Sequence, residues 1–276
     1  GKTGRYLVER LCADGHDVVA IGRSQARLAA LGDGCRHAVA DFDRPVSIAR
    51  ALVGARRVIN LVHARHTETL LDCLPTSCER LVLVGSTRRF TSLPDPAADA
   101  VRTAETLFLS SGVTGVMLHP SMIYGAPDDR NVNRLLGLVR SARILPLPDG
   151  GRNLVQPLFV DDMVAALAAA AVETAVTGPS IVVAGPEPIT YAAMLRACAA
   201  VQNETISIVP IPGLLMRAGA GLASALGIRT PFNAAEIRRA TEDKSFDINA
   251  MKSRLGVTPR SFEDGLALKI ERGWVS

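Results

Sequence analysis

A chain of 276 residues, 48% of them hydrophobic, can bury a large core, as one large domain or as a domain with an added lobe. Its net charge of +4 comes from scattered arginines, with pairs at Arg56-Arg57, Arg88-Arg89 and Arg238-Arg239, and aromatics make up only 4%. That excludes the concentrated basic stripe with stacking rings that a nucleic-acid binder needs. The five cysteines, Cys12, Cys35, Cys73, Cys78 and Cys198, are odd in number and hold no CxxC pair, which points to a reduced, cytoplasmic setting and to no thiolate metal site.

The chain opens on Gly1-Lys2-Thr3-Gly4 and runs at once into an amphipathic helix pattern, Arg5 to Cys12. A dinucleotide fold delivers the chain into such a glycine turn from an apolar strand, so we expect a preceding strand and a first glycine, and an N-terminally incomplete copy of a longer protein. Asp17 to Ile21 reads as a strand tipped by Gly22-Arg23-Ser24, and Ser24 to Leu31 as a short helix. Arg36 to Ala40 is a second strand ending in Asp41-Phe42-Asp43, and Val46 to Val53 a helix stopped by Gly54. Arg57 to Val62 and Arg80 to Gly85 are apolar enough to be buried strands, with a helix between them at His66 to Leu74. Asp95 to Ser111 is a long helix and Thr114 to Leu118 another strand. Near-continuous Val/Ile/Leu runs separated by helices predict a parallel sheet covered on both faces, an α/β Rossmann-type doubly wound architecture.

After His119-Pro120 the rhythm changes. Pro and Gly cluster between Gly125 and Gly151, Phe159-Val160-Asp161-Asp162 leads into an Ala-rich helix over 163–173, and Ser180 to Ala184 is one more strand. From about Thr190 the pattern is mainly helical, with short extended pieces such as Ile206 to Val209. The expected organisation is a nucleotide-binding domain over 1–123 and 154–189, with a smaller, mainly helical C-terminal lobe over 124–153 and 190–276. The most apolar late stretch, Gly213 to Ile228, is too short for a membrane span and contains Arg217, so we expect a helix there and no span.

The glycine turn places backbone N–H groups of Gly1, Lys2, Thr3 and Gly4 where a helix N-terminus attracts a pyrophosphate. Arg23 falls where this fold reads the adenosine ribose. A carboxylate there would repel a 2′-phosphate; an arginine pairs with it, and Ser24 adds a hydroxyl, so NADP(H) is favoured over NAD(H). Asp41, after the next strand, is a candidate for the adenine amine, or a turn residue.

The succession GKTG, VVAIGRS, VADFD, VINLV, LVLVGST, AETLFLSSGVTGVMLHPSMIYG and QPLFVDDMVAAL resembles the short-chain dehydrogenase/reductase superfamily, over nearly the whole chain. Within it the segments are similar to the extended and atypical groups, including the NAD(P)-dependent epimerase/dehydratases. HPSMIYG with Asp128-Asp129, ILPLP, and the tail from Phe246 to Ser261 are similar to the group around the nucleotide-binding accessory subunit of complex I. The resemblance implies a small-molecule substrate or a protein partner, neither identified, and a cofactor lying against Phe42, Leu61, Val62, His63, Ser86, Arg102, Pro120, Ser121 and Ile123.

Catalytic members of the family carry a Tyr with a Lys four residues later on one helical face. Here Tyr6, Tyr124 and Tyr191 are followed at that spacing by Arg10, Asp128 and Leu195, so no such dyad is present. Aligned on Ala104-Glu105, the two positions fall near Ala97 and Val101, neither of which transfers a proton. Ser86 and Thr87 match the family's substrate-orienting hydroxyls. His119 stands where the family commonly has Arg and, with His63, is a candidate acid. Three functions follow as expectations: a nucleotide-dependent sensor or scaffold with at most weak oxidoreductase activity; an active reductase or epimerase using another acid, His119, His63 or a substrate-bound water; and, remotely, a nucleotide triphosphatase in which Gly1-Lys2-Thr3 ends a phosphate loop and Leu158 to Asp162 a magnesium-binding strand.

Overall fold

The computed structural model describes residues 3–173, 176, 178, 180–216 and 242–274. Gly1, Lys2, the Arg238-Arg239 pair and most of the Gly213–Ile228 stretch lie outside the described residues.

The chain falls into two compact units, one of Gly1–Ser121, Val160–Val183 and Asp247–Thr258, the other of Met122–Phe159, Ala184–Phe246 and Pro259–Ser276. The first begins with α1 (Gly4–Ala13), β1 (Val19–Gly22), α2 (Gln25–Ala29), β2 (Arg36–Val39), α3 (Pro45–Ala51) and β3 (Arg57–Asn60). A 3-10 turn at Ala64–His66 leads into α4 (Thr67–Asp72), then β4 (Arg80–Val84), a second 3-10 turn at Thr87–Phe90, α5 (Pro96–Ser110) and β5 (Gly115–Pro120). In the second unit come β6 (Ile123–Tyr124), α6 (Arg130–Ser141), β7 (Ile144–Pro148), β8 (Leu154–Val155) and β9 (Leu158–Phe159). The first unit resumes with α7 (Val160–Val172) and β10 (Ser180–Val183), and the second with β11 (Ile189–Thr190), α8 (Tyr191–Ala200) and β12 (Ser207–Ile211). Helix α9 (Asn249–Leu255) counts with the first unit and α10 (Phe262–Glu271) with the second. Against the expected boundaries, 122–123, 154–159 and 184–189 count with the second unit and 247–258 with the first.

The first unit holds two parallel sheets, β1-β2 and β10-β5-β4-β3. Side chains alternate along each strand. Val58, Leu81, Leu83 and Met117 therefore share a face and pack with Ile48 and Leu52 of the α3 segment, Leu70 of α4, and Val101, Ala104 and Phe108 of α5. The intervening residues Val82, Val116 and Leu118 are equally buried on the other face, where α7 contacts β3, β4 and β5. Both faces are thus covered, which is why these strands read as unbroken apolar runs.

Some boundaries shift for identifiable reasons. Strand β3 stops at Asn60, not Val62, because the Asn60 carboxamide oxygen accepts from the Val62 N–H at 3.1 Å and turns the chain. Strand β5 runs on to Pro120 because Val183 pairs opposite it. Helix α7 starts at Val160, directly from β9.

In the second unit three short strand pairs form: β6-β9 and β7-β12 parallel, β8-β11 antiparallel. Helix α6 was not predicted. Its signal is nonetheless present: Asp129 caps it, accepting from the Asn131 N–H at 2.8 Å, and Val132, Leu135, Leu136 and Val139 make one buried stripe. The stripe packs toward α8, whose Cys198 is fully buried.

Burial pushes the Cys198 thiol from 9.0 up to about 12, with the nearby Asp129 carboxylate adding to it. The unfolded chain's thiol loses its proton first, so stability is retained below about pH 9 and declines toward pH 12. Three units correspond to about 4 kcal/mol at the top of that window. We expect wild-type stability to fall more steeply between pH 8 and 11 than that of Cys198→Ala, as read from urea midpoints; parallel curves would remove Cys198 from the account.

Among the described residues, no helix is long and apolar enough to cross a membrane, and no group of three or more His, Cys, Asp or Glu could hold a metal ion.

Candidate functional site

Within each sheet of the first unit the parallel strands end along one edge, and the predicted cofactor residues follow those ends. Arg23 and Ser24 follow β1, Asp41 and Phe42 follow β2, Leu61, Val62 and His63 follow β3, Ser86 follows β4, and Pro120 closes β5 with Ser121 next. In open α/β sheets this carboxyl edge is where ligands bind. Ile123 stands on β6 of the second unit.

Thr3 is the N-cap of α1 and gives it no side-chain cap, so the first N–H groups of the helix are not satisfied by it. A Cβ added to Gly4 would come 3.3 Å from Leu61 Cδ1, so the helix start lies close against the end of β3. Leu61 and Val62 are 37% and 43% exposed there. A positively polarised helix end beside an exposed apolar ledge fits a dinucleotide, with phosphates on the helix and rings on the ledge.

On the adenosine side, Arg23 is exposed and Ser24 caps α2 by accepting from the Arg27 N–H at 3.4 Å. The Asp41 carboxylate accepts from the Asp43 N–H at 3.2 Å, a turn bond, while its own N–H donates to Ser47 Oγ at 3.0 Å. Phe42 stacks on His66 with ring centroids 4.8 Å apart, which joins the loops after β2 and β3. Burial and the adjacent Arg65 guanidinium hold the His66 imidazole below its usual range, and Arg65 Nε donates to its Nε2 at 3.1 Å. His63 is exposed and its Nδ1 accepts from the Arg65 N–H at 3.2 Å.

At the end of β4 a buried polar cluster forms. His119 is 0% exposed and Glu105 5%. His119 Nδ1 accepts from the Ser86 N–H at 3.2 Å, and Nε2 lies 3.4 Å from Glu105 Oε1. A nitrogen that accepts an N–H carries no proton, so the neutral ring holds its hydrogen on Nε2 and donates it to the carboxylate. Desolvation lowers the His119 pKa, and the Glu105 carboxylate only partly offsets that, which agrees with a neutral ring. Glu105 Oε2 also pairs with Arg89 Nε at 2.6 Å, an ion pair without hydrogen-bond alignment. The Ser86 hydroxyl accepts from the Arg88 N–H at 3.2 Å and starts the 3-10 turn that contains Thr87. Arg102 donates to the Arg89 carbonyl and to Asp99, both at 2.6 Å.

Sequence reasoning singled out His119 and Ser86 separately and used Glu105 only as an alignment anchor; it gave Arg89 no role. Arg89 and Glu105 are 16 residues apart, a distance at which no local pattern announces an ion pair. On α5, Val101 is buried in the core and Ala97 is half-buried.

A parallel sheet covered by helices, with a helix start and an arginine-tipped strand at its carboxyl edge, is an architecture of the Rossmann type. Residues 1–134 match the family described as NAD(P)H-binding. Over 284 residues the chain is 27% identical to subunit 9 of the NADH dehydrogenase [ubiquinone] 1 alpha subcomplex, mitochondrial, of Arabidopsis thaliana, an alignment covering 91% of this chain and 70% of the relative. Among solved structures it is similar to a UDP-glucose 4-epimerase with UDP-glucose from Thermotoga maritima (TM-score 0.75, 14% identity, 98% of this chain and 95% of that one). It is also similar to an NADPH-dependent quinone oxidoreductase complexed with NADPH from Escherichia coli (TM-score 0.71, 16% identity, 98% of both chains). At those identities the structures share the fold. The family match thus covers the N-terminal part of the chain, and the fold of the whole is the one those structures share.

Proposed function

We propose that the protein binds NADP(H) in preference to NAD(H) and acts as a nucleotide-dependent sensor or scaffold, with weak oxidoreductase activity at most. The observation that supports this reading is α5: the resemblance puts the family's Tyr and Lys near Ala97 and Val101, and Val101 is packed in the core. An apolar pair cannot protonate a carbonyl or hold the nicotinamide ribose through a cation. Arg23 at the tip of β1 supports the NADP(H) preference, because a guanidinium complements a 2′-phosphate that an acidic residue would repel.

The residues present fit the dinucleotide. The start of α1 at Thr3 and Gly4, with Gly1 and Lys2 before it, would hold the pyrophosphate. Arg23 and Ser24 would hold the 2′-phosphate, Asp41 and Phe42 the adenine, and Leu61, Val62 and His63 would line the middle of the cofactor. Ser86, Thr87, Arg102, Pro120 and Ser121 would meet the nicotinamide half. Bound nucleotide would supply hydride chemistry; the protein would supply orientation and exclusion of water. The Arabidopsis thaliana relative is named as a subunit of an NADH dehydrogenase [ubiquinone] subcomplex, which supports the scaffold side of this reading. Five free cysteines support a reducing compartment, with the cytoplasm as our assignment.

A second reading, an active reductase or epimerase with an unusual acid, is favoured by His63, an exposed imidazole in the segment that follows β3. Calorimetric titration of the full-length protein with NADPH and NADH tests the main proposal: tight NADPH and weak NADH are expected, and equal affinities would remove the preference. Turnover of NADPH with a small carbonyl compound, lost in His63→Ala, would replace the sensor reading with the second one.

A further inference from the structure

A connected set of side chains, Arg102, Arg89, Glu105, His119 and Ser86, is buried at its middle, at Glu105 and His119. Arg102 holds the Arg89 carbonyl at 2.6 Å, Arg89 pairs with Glu105 at 2.6 Å, Glu105 receives His119 Nε2–H at 3.4 Å, and His119 Nδ1 holds the Ser86 N–H at 3.2 Å. Every ring nitrogen of His119 is thereby committed within the protein. Its ring is also caged: a Cβ on Gly85 would come 2.4 Å from Nδ1, and the edge of Phe90 meets the ring at 6.1 Å between centroids. The imidazole can keep both bonds only with its hydrogen on Nε2, and Glu105, held by Arg89, sets that tautomer.

We infer that His119 is a positioning residue: through the Ser86 N–H it fixes the Ser86-Thr87 turn at the end of β4, so that the two hydroxyls meet the nicotinamide half of the bound dinucleotide. The inference rests on the nucleotide reading proposed above. It gives His119 no part as a proton donor to substrate. The Ser86 bond is what orders the turn, because without it the backbone N–H and the hydroxyl cap on Arg88 have only the 3-10 turn itself to hold them.

The test compares NADPH with 2′,5′-ADP, which carries the adenosine and 2′-phosphate but no nicotinamide, on the full-length protein. In His119→Leu, NADPH binding is expected to weaken about tenfold, the loss of one hydrogen-bonded contact, while 2′,5′-ADP stays within about twofold of wild type. Gly85→Ala, which keeps His119 but displaces its ring, is expected to show the same selective loss. His119→Asn, whose Oδ1 takes the place of Nδ1, is expected to recover most of the NADPH affinity. Nitrogen NMR of wild-type protein with labelled histidine should show a neutral His119 protonated on Nε2. Unchanged NADPH binding in both His119→Leu and Gly85→Ala overturns the inference. So does an equal loss of both probes, which would mark a role in holding the fold, and so does a hydrogen on Nδ1. Wild-type protein that binds neither probe overturns the nucleotide reading itself, and this inference falls with it.

Discussion

Replacing Arg23 by alanine is expected to weaken NADPH binding about 10- to 100-fold and to leave NADH within about threefold of wild type, since a charge-assisted bond to phosphate contributes about 1.5–3 kcal/mol. Arg23 lies at the exposed tip of β1, next to the Ser24 cap of α2, so its removal disturbs no core. The difference between the two nucleotides is the 2′-phosphate alone, which makes the comparison its own control. Arg23→Asp should go further and turn the preference toward NADH, because a carboxylate accepts from a free 2′-hydroxyl and repels the phosphate. Calorimetry on the three proteins reads both effects. Equal losses for NADPH and NADH in Arg23→Ala would mean that Arg23 does not face the 2′ position, and the proposed NADP(H) preference would lose its support.

The largest stability effect is expected at Arg80. This arginine opens β4, yet only 2% of it is exposed. Its Nε donates to the Ala170 carbonyl and its guanidinium NH2 group to the Val176 carbonyl at 2.6 Å, so it closes the C-terminal end of α7, where a positive charge also meets the helix dipole. Desolvation, and then the charge of Arg57, pull its pKa down. Its removal recovers the cost of burying the cation but leaves two inward-facing carbonyls without their donor, and the second effect is the larger. Arg80→Met should therefore lower stability by about 3 kcal/mol or more. Arg56 makes a useful contrast. It pairs with Glu79 at 2.7 Å, but both side chains are more than half exposed. Arg56→Ala should cost less than about 1 kcal/mol. Urea midpoints at constant slope measure both. A loss below about 1 kcal/mol for Arg80→Met would show that other groups close the end of α7.

The same residue marks the limit of reading this chain as a string. The arginines look like a solvated surface, and by composition most of them are. Nothing within ten residues of Arg80 distinguishes it from Arg56 or Arg57. Its carbonyl partners lie about 90 residues further on, at the end of a helix that packs across the sheet. His119 is similar. A histidine before a proline at a strand end can be an acid, a ligand or a packed ring, and Glu105, Arg89 and the Ser86 N–H, all distant in sequence, set which nitrogen carries its hydrogen. In the second unit, β7 and β12 pair in register across some 60 residues, Ile144 opposite Ser207, which no local pattern could specify. Helix α6 differs: its Asp129 cap and apolar stripe are local and legible in the sequence, but they sit in a stretch whose prolines and glycines read as irregular.

The sequence by itself determined the alternation of strand and helix in the first unit. Strands buried on both faces must be continuously apolar, and helices between them must break that pattern with polar faces and glycine stops. It also determined which residues follow the strand ends, Arg23, Asp41, His63 and Ser86 among them, because a strand end is a local event marked by a turn residue. Tertiary structure alone decided which polar groups are buried, which tautomer His119 holds and how the chain is shared between its two units. Those depend on contacts between segments far apart in the chain, and desolvation acts on a group according to what surrounds it in space.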